Sequence, residues 1–168
     1  MLDHVWTCAC CGREHRGLPL DFATPAPAPW FSLPEDRRSS PENRLDDDLC
    51  MIGGEDFFVR GCLELPIIGR DETFRFGLWA SLSKRNFERV LQLWSADVSS
   101  EPPMFGWLCN DVTLYPPTFG LKTNVRLRNN NQRPAITLQP TDHPLALDQQ
   151  RGVTMMKVEE MVAALLRH

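Results

Sequence analysis

The chain has 168 residues, of which 42% are apolar, and its 18 basic and 22 acidic residues give a formal net charge of −4. These values fit one domain with a sizeable core, and the acidic balance argues against a nucleic-acid partner because binding phosphates requires a basic field. The first residues do not resemble a secretion signal, and no apolar run is long enough to cross a bilayer. We therefore expect a cytoplasmic protein without a membrane partner, whose six cysteines are thiols or metal ligands rather than disulfides.

Residues 8–15, CACCGREH, concentrate three cysteines and a histidine. Cys8 and Cys11 have the C-x-x-C spacing that lets two thiolates bind one zinc ion, and the glycine after them permits the tight turn of a knuckle. His15 is the expected third ligand, since a thiolate pair with an imidazole suits zinc. No second C-x-x-C is present, so we expect Cys50 to complete the shell. Three alternatives for the fourth ligand are Cys62, Cys109 and His143.

Two other interpretations of this run stay open. A redox pair has the same spacing, although no strand precedes the run and no helix start follows it to lower a thiol pKa. In the second interpretation, the cysteines bind no metal and act as small apolar residues, and His15 caps a turn. We favour structural zinc, which would hold an N-terminal arm, residues 1–20, against the rest of a single domain.

A proline-rich segment, residues 21–45, follows the arm. Six prolines lie between Pro19 and Pro41. Because proline donates no backbone hydrogen bond, we expect this segment to be irregular and to lie over the surface of the body. Its anchors are expected to be Trp30, Phe31 and Leu33.

The body, residues 46–168, begins with alternating segments. Gly53 and Gly54 predict a hairpin between LCMI and DFFVRGCLEL, and residues 57–65 alternate at the period of a strand. TFRFGLWASL predicts a second long strand and MFGWLC a short one. The asparagine-rich NNNQR predicts a turn between TNVRLR and PAITLQ, because asparagine tolerates positive φ.

Two amphipathic helices are predicted in the body. Ser83 is placed as the N-cap of KRNFERVLQLW, whose apolar stripe is Phe87, Val90, Leu91 and Trp94. TMMKVEEMVAALLR predicts a closing helix. The strands and helices do not alternate as in a doubly wound sheet. We therefore predict an α+β fold with an antiparallel or mixed sheet, two main helices and an N-terminal arm resembling a zinc knuckle.

Polar residues on the outward faces of the predicted strands are candidates for binding. Arg60 and Trp79 occupy such positions on the two long strands, and Arg133 precedes a neighbouring strand. As a hypothesis, these three residues and His143 line a concave face that receives a partner. The alternative is that the Arg60 stem covers the sheet and its guanidinium pairs with Glu64.

Sequence signatures of the common enzymes are absent. Asp142, His143 and Asp148 place carboxylates near an imidazole, but no serine lies in a nucleophile-elbow context. No glycine pattern matches a phosphate-binding loop. His143 precedes a proline, which predicts extended backbone in a loop and a structural role.

Several segments, in order, resemble a bacterial family known as domain of unknown function 2199. They are C-x-x-CG-x-x-H, LPLDF, PxxW, DLCMI, FFVRGCLELPI, FGLWASLS, NFERVLQLW, FGWLCN and RPAITLQPTDHPLALDQQRGV. The resemblance implies a small bacterial cytosolic protein and assigns no activity. It implies that Cys8, Cys11 and His15 are motif positions, and Cys10 is a local departure that could compete as a ligand. Six residues lie in the other matching blocks: Cys50, Arg60, Trp79, Trp107, Arg133 and His143.

The sequence thus predicts a zinc-binding, non-catalytic recognition domain for a protein or small-molecule partner. One alternative is a hydrolase in which a zinc ion with three protein ligands activates water. Another is an interaction protein of the immunity or antitoxin type, which small size and acidity favour.

Overall fold

A computed structural model describes residues 5–7 and 14–167 of the chain. The strands in these ranges are β1 (Val5–Thr7), β2 (Glu14–Arg16), β3 (Asp21–Ala23), β4 (Arg44–Leu45), β5 (Leu49–Ile52), β6 (Asp56–Pro66), β7 (Thr73–Leu82), β8 (Met104–Leu108), β9 (Lys122–Arg126) and β10 (Ala135–Leu138). The helices are α1 (Ala28–Phe31), α2 (Lys84–Gln92), α3 (Pro144–Arg151) and α4 (Met155–Leu165), and a 3₁₀ turn spans Glu35–Arg37.

The described strands form a small and a large sheet. In the small sheet, β1 pairs antiparallel with β2. The large sheet has the order β3-β7-β8-β9-β10-β6-β5-β4, and β6 also pairs with β7, so β6 to β10 close into a ring. Most pairings are antiparallel, but β3 runs parallel to β7 and β10 parallel to β6. The predicted mixed sheet of an α+β fold is confirmed.

The long hairpin of β6 and β7 is the centre of the large sheet. Its residues alternate as predicted, with Phe57, Val59, Leu63 and Leu65 of β6 buried on one face. The predicted turn before it is confirmed: β5 and β6 are antiparallel, and both glycines between them have positive φ. These glycines supply the left-handed backbone that a side chain would disfavour.

Helix α2 confirms the predicted capping. The Ser83 hydroxyl accepts a hydrogen bond from the Asn86 backbone N–H at 3.1 Å. Phe87 and Val90 are buried as predicted, and the Phe87 ring packs 4.9 Å from that of Phe57. The rest of the predicted stripe is wrong, since Leu91 and Trp94 are exposed. The helix ends at Gln92, before Trp94 could turn toward the core.

The closing helix is confirmed as α4, but the prediction of two main helices is wrong for the described residues. Helix α3 lies where a loop was predicted, with His143 as N-cap and Pro144 in its first turn. Proline fits there because the first turn needs no internal N–H bond. The Gln149 side chain accepts from the Leu138 N–H and donates to the Ile136 carbonyl, joining α3 to β10.

Two apolar clusters cover the two faces of the β6–β7 hairpin. The larger lies inside the closed ring and includes buried residues of α2, α3 and α4. The smaller lies on the outer face and is composed of Ala26, Trp30, Cys50, Phe58, Trp79 and Cys109. None of the described helices is both long and apolar enough to span a bilayer.

The proline-rich segment covers the smaller cluster. It is more regular than predicted, because it contains β3 and α1. Trp30 is a buried anchor as predicted, and Leu33 packs against the same cluster. Phe31 is an exception, since its side chain is half exposed.

Candidate functional site

Arg60 and Arg133 meet beside the acidic turn between β4 and β5. Arg60 Nη1 donates to the Asp47 carbonyl at 3.2 Å, and Arg133 Nε donates to Asp48 Oδ1 at 3.0 Å. The Arg60 backbone N–H also donates to the Asp48 carbonyl. The structure therefore brings two of the four predicted binding residues to the same part of the outer face.

Trp79 does not belong to that exposed face. Its side chain is 0% exposed, and its Nε1 donates to the Thr24 carbonyl at 2.9 Å. Strand alternation correctly placed Trp79 on the face opposite the core, but the proline-rich segment covers that part of the face. The prediction that Trp79 lines a binding surface is therefore wrong.

His143 has its hydrogen bonds elsewhere in the molecule. Its Nδ1 accepts from the Leu145 N–H at 3.1 Å, and its Nε2 lies 3.2 Å and 3.1 Å from the carbonyls of Pro116 and Pro117. Because Nδ1 accepts, Nε2 carries the proton and donates to these carbonyls. His143 is a structural cap rather than a neighbour of Arg60, and Asp148 instead accepts from Tyr115 and Lys157.

The predicted zinc ligands fall largely outside the described residues. Cys8 and Cys11 lie there, and the backbone of His15 pairs with Trp6 in the small sheet. Within residues 5–7 and 14–167, no group of three histidine, cysteine or acidic residues is arranged to hold a metal ion.

Cys50 is poorly placed to complete a zinc shell. The residue is 1% exposed and packs among aromatic and apolar side chains under the proline-rich segment. Burial raises the pKa of its thiol to about 12, and Asp46 and Cys109 add to the shift. A protonated thiol in an apolar cluster is a weak ligand, because zinc requires the thiolate. The sequence analysis chose Cys50 as the fourth ligand because it lies next to the acidic loop, and the sequence did not show that its side chain is buried.

Two arginines that the sequence analysis missed complete the polar site. Arg128 Nη1 lies 3.1 Å from Glu64 Oε1, and Arg75 Nε lies 3.6 Å from the same oxygen. Arg128 Nε also donates to the Arg133 carbonyl at 2.7 Å. Glu64 thus pairs with these two arginines instead of Arg60. The outward-facing positions of the two strands identified Glu64 and could also have identified Arg75. No residue near Arg128 in the sequence indicates that Arg128 pairs with Glu64.

We call Arg75, Arg128 and Arg133, with Glu64 and Asp48, the arginine cleft. They line a cavity of about 410 Å³ on the outer face of the β6–β7 hairpin. Cys62 of β6 and Asp21 of β3 also line it. A second cavity, of about 330 Å³, lies against Arg128 and Arg133 and extends toward the end of α2. The two arginines therefore stand between a polar and a more apolar space.

The ion pairs of the arginine cleft are open to solvent. The side chains of Arg75, Arg133, Glu64 and Asp48 all retain about a third to a half of their exposure. Pairs of this kind contribute only about 0 to 1 kcal/mol each, so an incoming anion can replace an internal carboxylate with little loss. The neighbouring Arg60 Nε is buried and has no hydrogen-bond partner in the described part of the chain.

Comparison with known proteins gives one informative result. A family model described as an uncharacterised protein conserved in bacteria (DUF2199) matches residues 7–153, which is most of the chain. No curated protein and no solved structure matches the chain.

Proposed function

This chain belongs to the bacterial family DUF2199, and we propose that it is a recognition domain whose arginine cleft binds an anionic ligand. One observation carries the proposal: the guanidinium groups of Arg75 and Arg128 share a single carboxylate, Glu64, on the wall of a cavity. Arg133 contributes a third guanidinium, paired with Asp48. Three guanidinium groups are thus paired with two carboxylates, and Asp21 adds a third carboxylate to the lining of the cavity.

The chemistry of these side chains favours a carboxylate or phosphate group. Guanidinium presents a planar set of N–H donors that binds either group through two parallel hydrogen bonds. Arg128 is held by the Arg133 carbonyl and by Glu64, so its orientation is set before a ligand arrives. Such preorganisation reduces the entropy lost on binding.

Titration with inorganic phosphate, followed by NMR of the arginine Nε–H and backbone amide signals, tests the proposal. Phosphate should shift the signals of Arg75, Arg128 and Arg133. Arg133→Gln should weaken phosphate binding about tenfold, the effect of losing one charge-assisted hydrogen bond. Arg70→Gln, an exposed arginine in the β6–β7 turn, is the matched control and should bind as wild type.

Glu64→Gln separates binding from stability. This substitution removes the internal anion that pairs with Arg75 and Arg128, so phosphate should bind more tightly than in wild type. Misfolding does not produce a gain of affinity. If phosphate shifts none of the three arginines, or if Glu64→Gln binds it no better than wild type, the cleft is not an anion site.

We also propose that the N-terminal arm binds structural zinc through Cys8, Cys11 and His15, with the fourth ligand open. The supporting observation is that the strands on either side of residues 8–13 pair antiparallel, with Thr7 opposite Glu14. This pairing brings together the residues that flank residues 8–13, as a knuckle requires.

Metal analysis of protein purified without chelator tests the zinc proposal. We expect one zinc per wild-type chain, and loss of both zinc and thermal stability in Cys11→Ser. Cys62→Ser, at a partly exposed position of β6, tests whether Cys62 is the fourth ligand. Retention of zinc by Cys11→Ser, or well under one equivalent in wild type, would exclude this site.

A further inference from the structure

The second cavity has one apolar wall and one basic wall. Leu93 and Trp94, which follow α2, and Val98 and Leu127 form its apolar side. Arg128 and Arg133, with Asp48 beside them, form the basic side, which the cavity shares with the arginine cleft. An apolar cavity with a few convergent polar groups is the usual form of a small-molecule site.

Asn129 joins the walls of this cavity. Its Oδ1 accepts from the Val98 N–H at 2.9 Å, while its Nδ2 donates to Asp97 Oδ1 at 3.0 Å and to Ser99 Oγ at 2.9 Å. The hydrogen bonds connect the segment after α2 to the loop between β9 and β10. The cavity therefore lies between segments that already hold each other in place.

Trp94 is the notable member of the apolar wall. Its helical spacing predicted a core residue, yet its side chain is 51% exposed beside the cavity. An aromatic side chain in this position offers a large rigid contact surface to a ligand. Apolar ligand surface that is buried against this ring is removed from water, which favours binding.

We infer that this cavity binds a small organic acid whose anionic group contacts Arg128 and Arg133 and whose apolar group packs against Trp94. The inference rests on the proposed anion-binding function and adds the class of ligand. The volume of about 330 Å³ lies at the lower end of the range for ligand sites, which favours a small molecule.

Four probes distinguish the contributions of the anionic group and the apolar group of the ligand. They are 4-phenylbutyrate, its neutral analogue 4-phenylbutanol, butyrate and inorganic phosphate. NMR titration gives each affinity and the residues that respond. We expect 4-phenylbutyrate to shift both Arg133 and the Trp94 indole signal, and to bind at least about tenfold more tightly than butyrate or 4-phenylbutanol.

Trp94→Ala should abolish the advantage of 4-phenylbutyrate over butyrate and leave phosphate affinity unchanged. Trp94 is half exposed, so its replacement by alanine should leave the protein folded. Unchanged phosphate binding would show that the arginine cleft of the variant is intact. Trp107→Ala is the matched control, since this tryptophan is 45% exposed on β8. It should bind all four probes as wild type does.

The outcomes distinguish this inference from the proposed function. If phosphate binds the arginine cleft but 4-phenylbutyrate binds no more tightly than butyrate, the organic-acid inference is wrong and anion recognition stands. The same conclusion follows if 4-phenylbutyrate still binds Trp94→Ala more tightly than butyrate does. If 4-phenylbutanol binds as tightly as 4-phenylbutyrate, the arginines do not hold the ligand and the inference is again wrong. If no anion shifts the arginines, both proposals fail.

Discussion

The side chain of Asn110 binds the backbone of Trp79. Asn110 Oδ1 accepts from the Trp79 N–H at 2.9 Å, and Asn110 Nδ2 donates to the Ala26 carbonyl at the same distance. Asn110 is 3% exposed, so neither partner can turn to water instead. One buried amide thus connects β7 to the proline-rich segment that covers it.

Replacing Asn110 by alanine should therefore destabilise the fold strongly. The Trp79 N–H and the Ala26 carbonyl would both lose a buried partner, at about 1 to 3 kcal/mol each. We expect urea denaturation to show a loss of about 3 kcal/mol in the free energy of unfolding. Asn86→Ala, near the start of α2, is the control and should change it by less than about 0.5 kcal/mol. A loss below about 1 kcal/mol for Asn110→Ala would contradict the prediction.

Gly61 of β6 lies close to Pro134 and to Ile136 of β10. A Cβ there would lie 2.7 Å from Ile136 Cγ1 and 2.8 Å from the Pro134 carbonyl oxygen, closer than real atoms pack. Gly61→Ala should therefore lower the free energy of unfolding by about 1 to 3 kcal/mol through overpacking.

Chemical denaturation measures that loss. The control is Cys62→Ala, because Cys62 is the next residue of β6 and its side chain points to the outer face. Equal stability of Gly61→Ala and wild type would show that β10 can shift to admit a methyl group.

The buried Cys50 thiol predicts a dependence of stability on alkaline pH. Its pKa is raised from 9.0 to about 12 by burial, so between these values the unfolded chain releases a proton that the folded chain retains. The contribution of this thiol is complete below pH 9 and is lost as pH rises toward 12, at up to about 1.4 kcal/mol per pH unit.

Comparison with Cys50→Ala isolates this effect from other groups that titrate in the same range. The difference in unfolding free energy between wild type and the variant should be constant from pH 6 to 8. Above about pH 9, it should move in favour of the variant. A difference that stays constant up to pH 11 would mean that solvent reaches the thiol.

His143 is predicted to stabilise α3 as its N-cap. His143→Ala removes the acceptor for the Leu145 N–H and should lower the free energy of unfolding by about 1 kcal/mol. Asparagine also caps helices, so His143→Asn should recover part of this loss. Urea denaturation near neutral pH compares the three proteins. Equal losses in both variants would assign the effect to the hydrogen bonds with Pro116 and Pro117 instead.

Local pattern explains which elements were predictable. The alternation in β6 and β7, the glycine turn before them and the Ser83 cap each depend on residues close in sequence. Helix α3 was missed because a proline in its first turn and a histidine cap resemble a loop. The end of α2 was misjudged because periodicity alone does not show where a helix stops.

The candidate site was predictable only in part. Arg60 was found because it is a basic residue on the outward face of an apolar strand, and Arg133 because it precedes another such strand. Arg75 and Arg128 were missed because their shared partner, Glu64, is identified only when β6, β7 and the loop after β9 are placed together. Zinc binding by Cys8 and Cys11 stays a prediction.

By itself, the sequence determined the family, the mixed α+β class and the face of β6 that enters the core. These follow from short-range backbone preferences and from the strong tendency of alternating apolar residues to leave water. The tertiary structure alone decided which parts of the outer face stay exposed. Closure of the sheet and the path of the proline-rich segment buried Trp79 and Cys50 and left the arginines open, and those contacts join residues far apart in the chain.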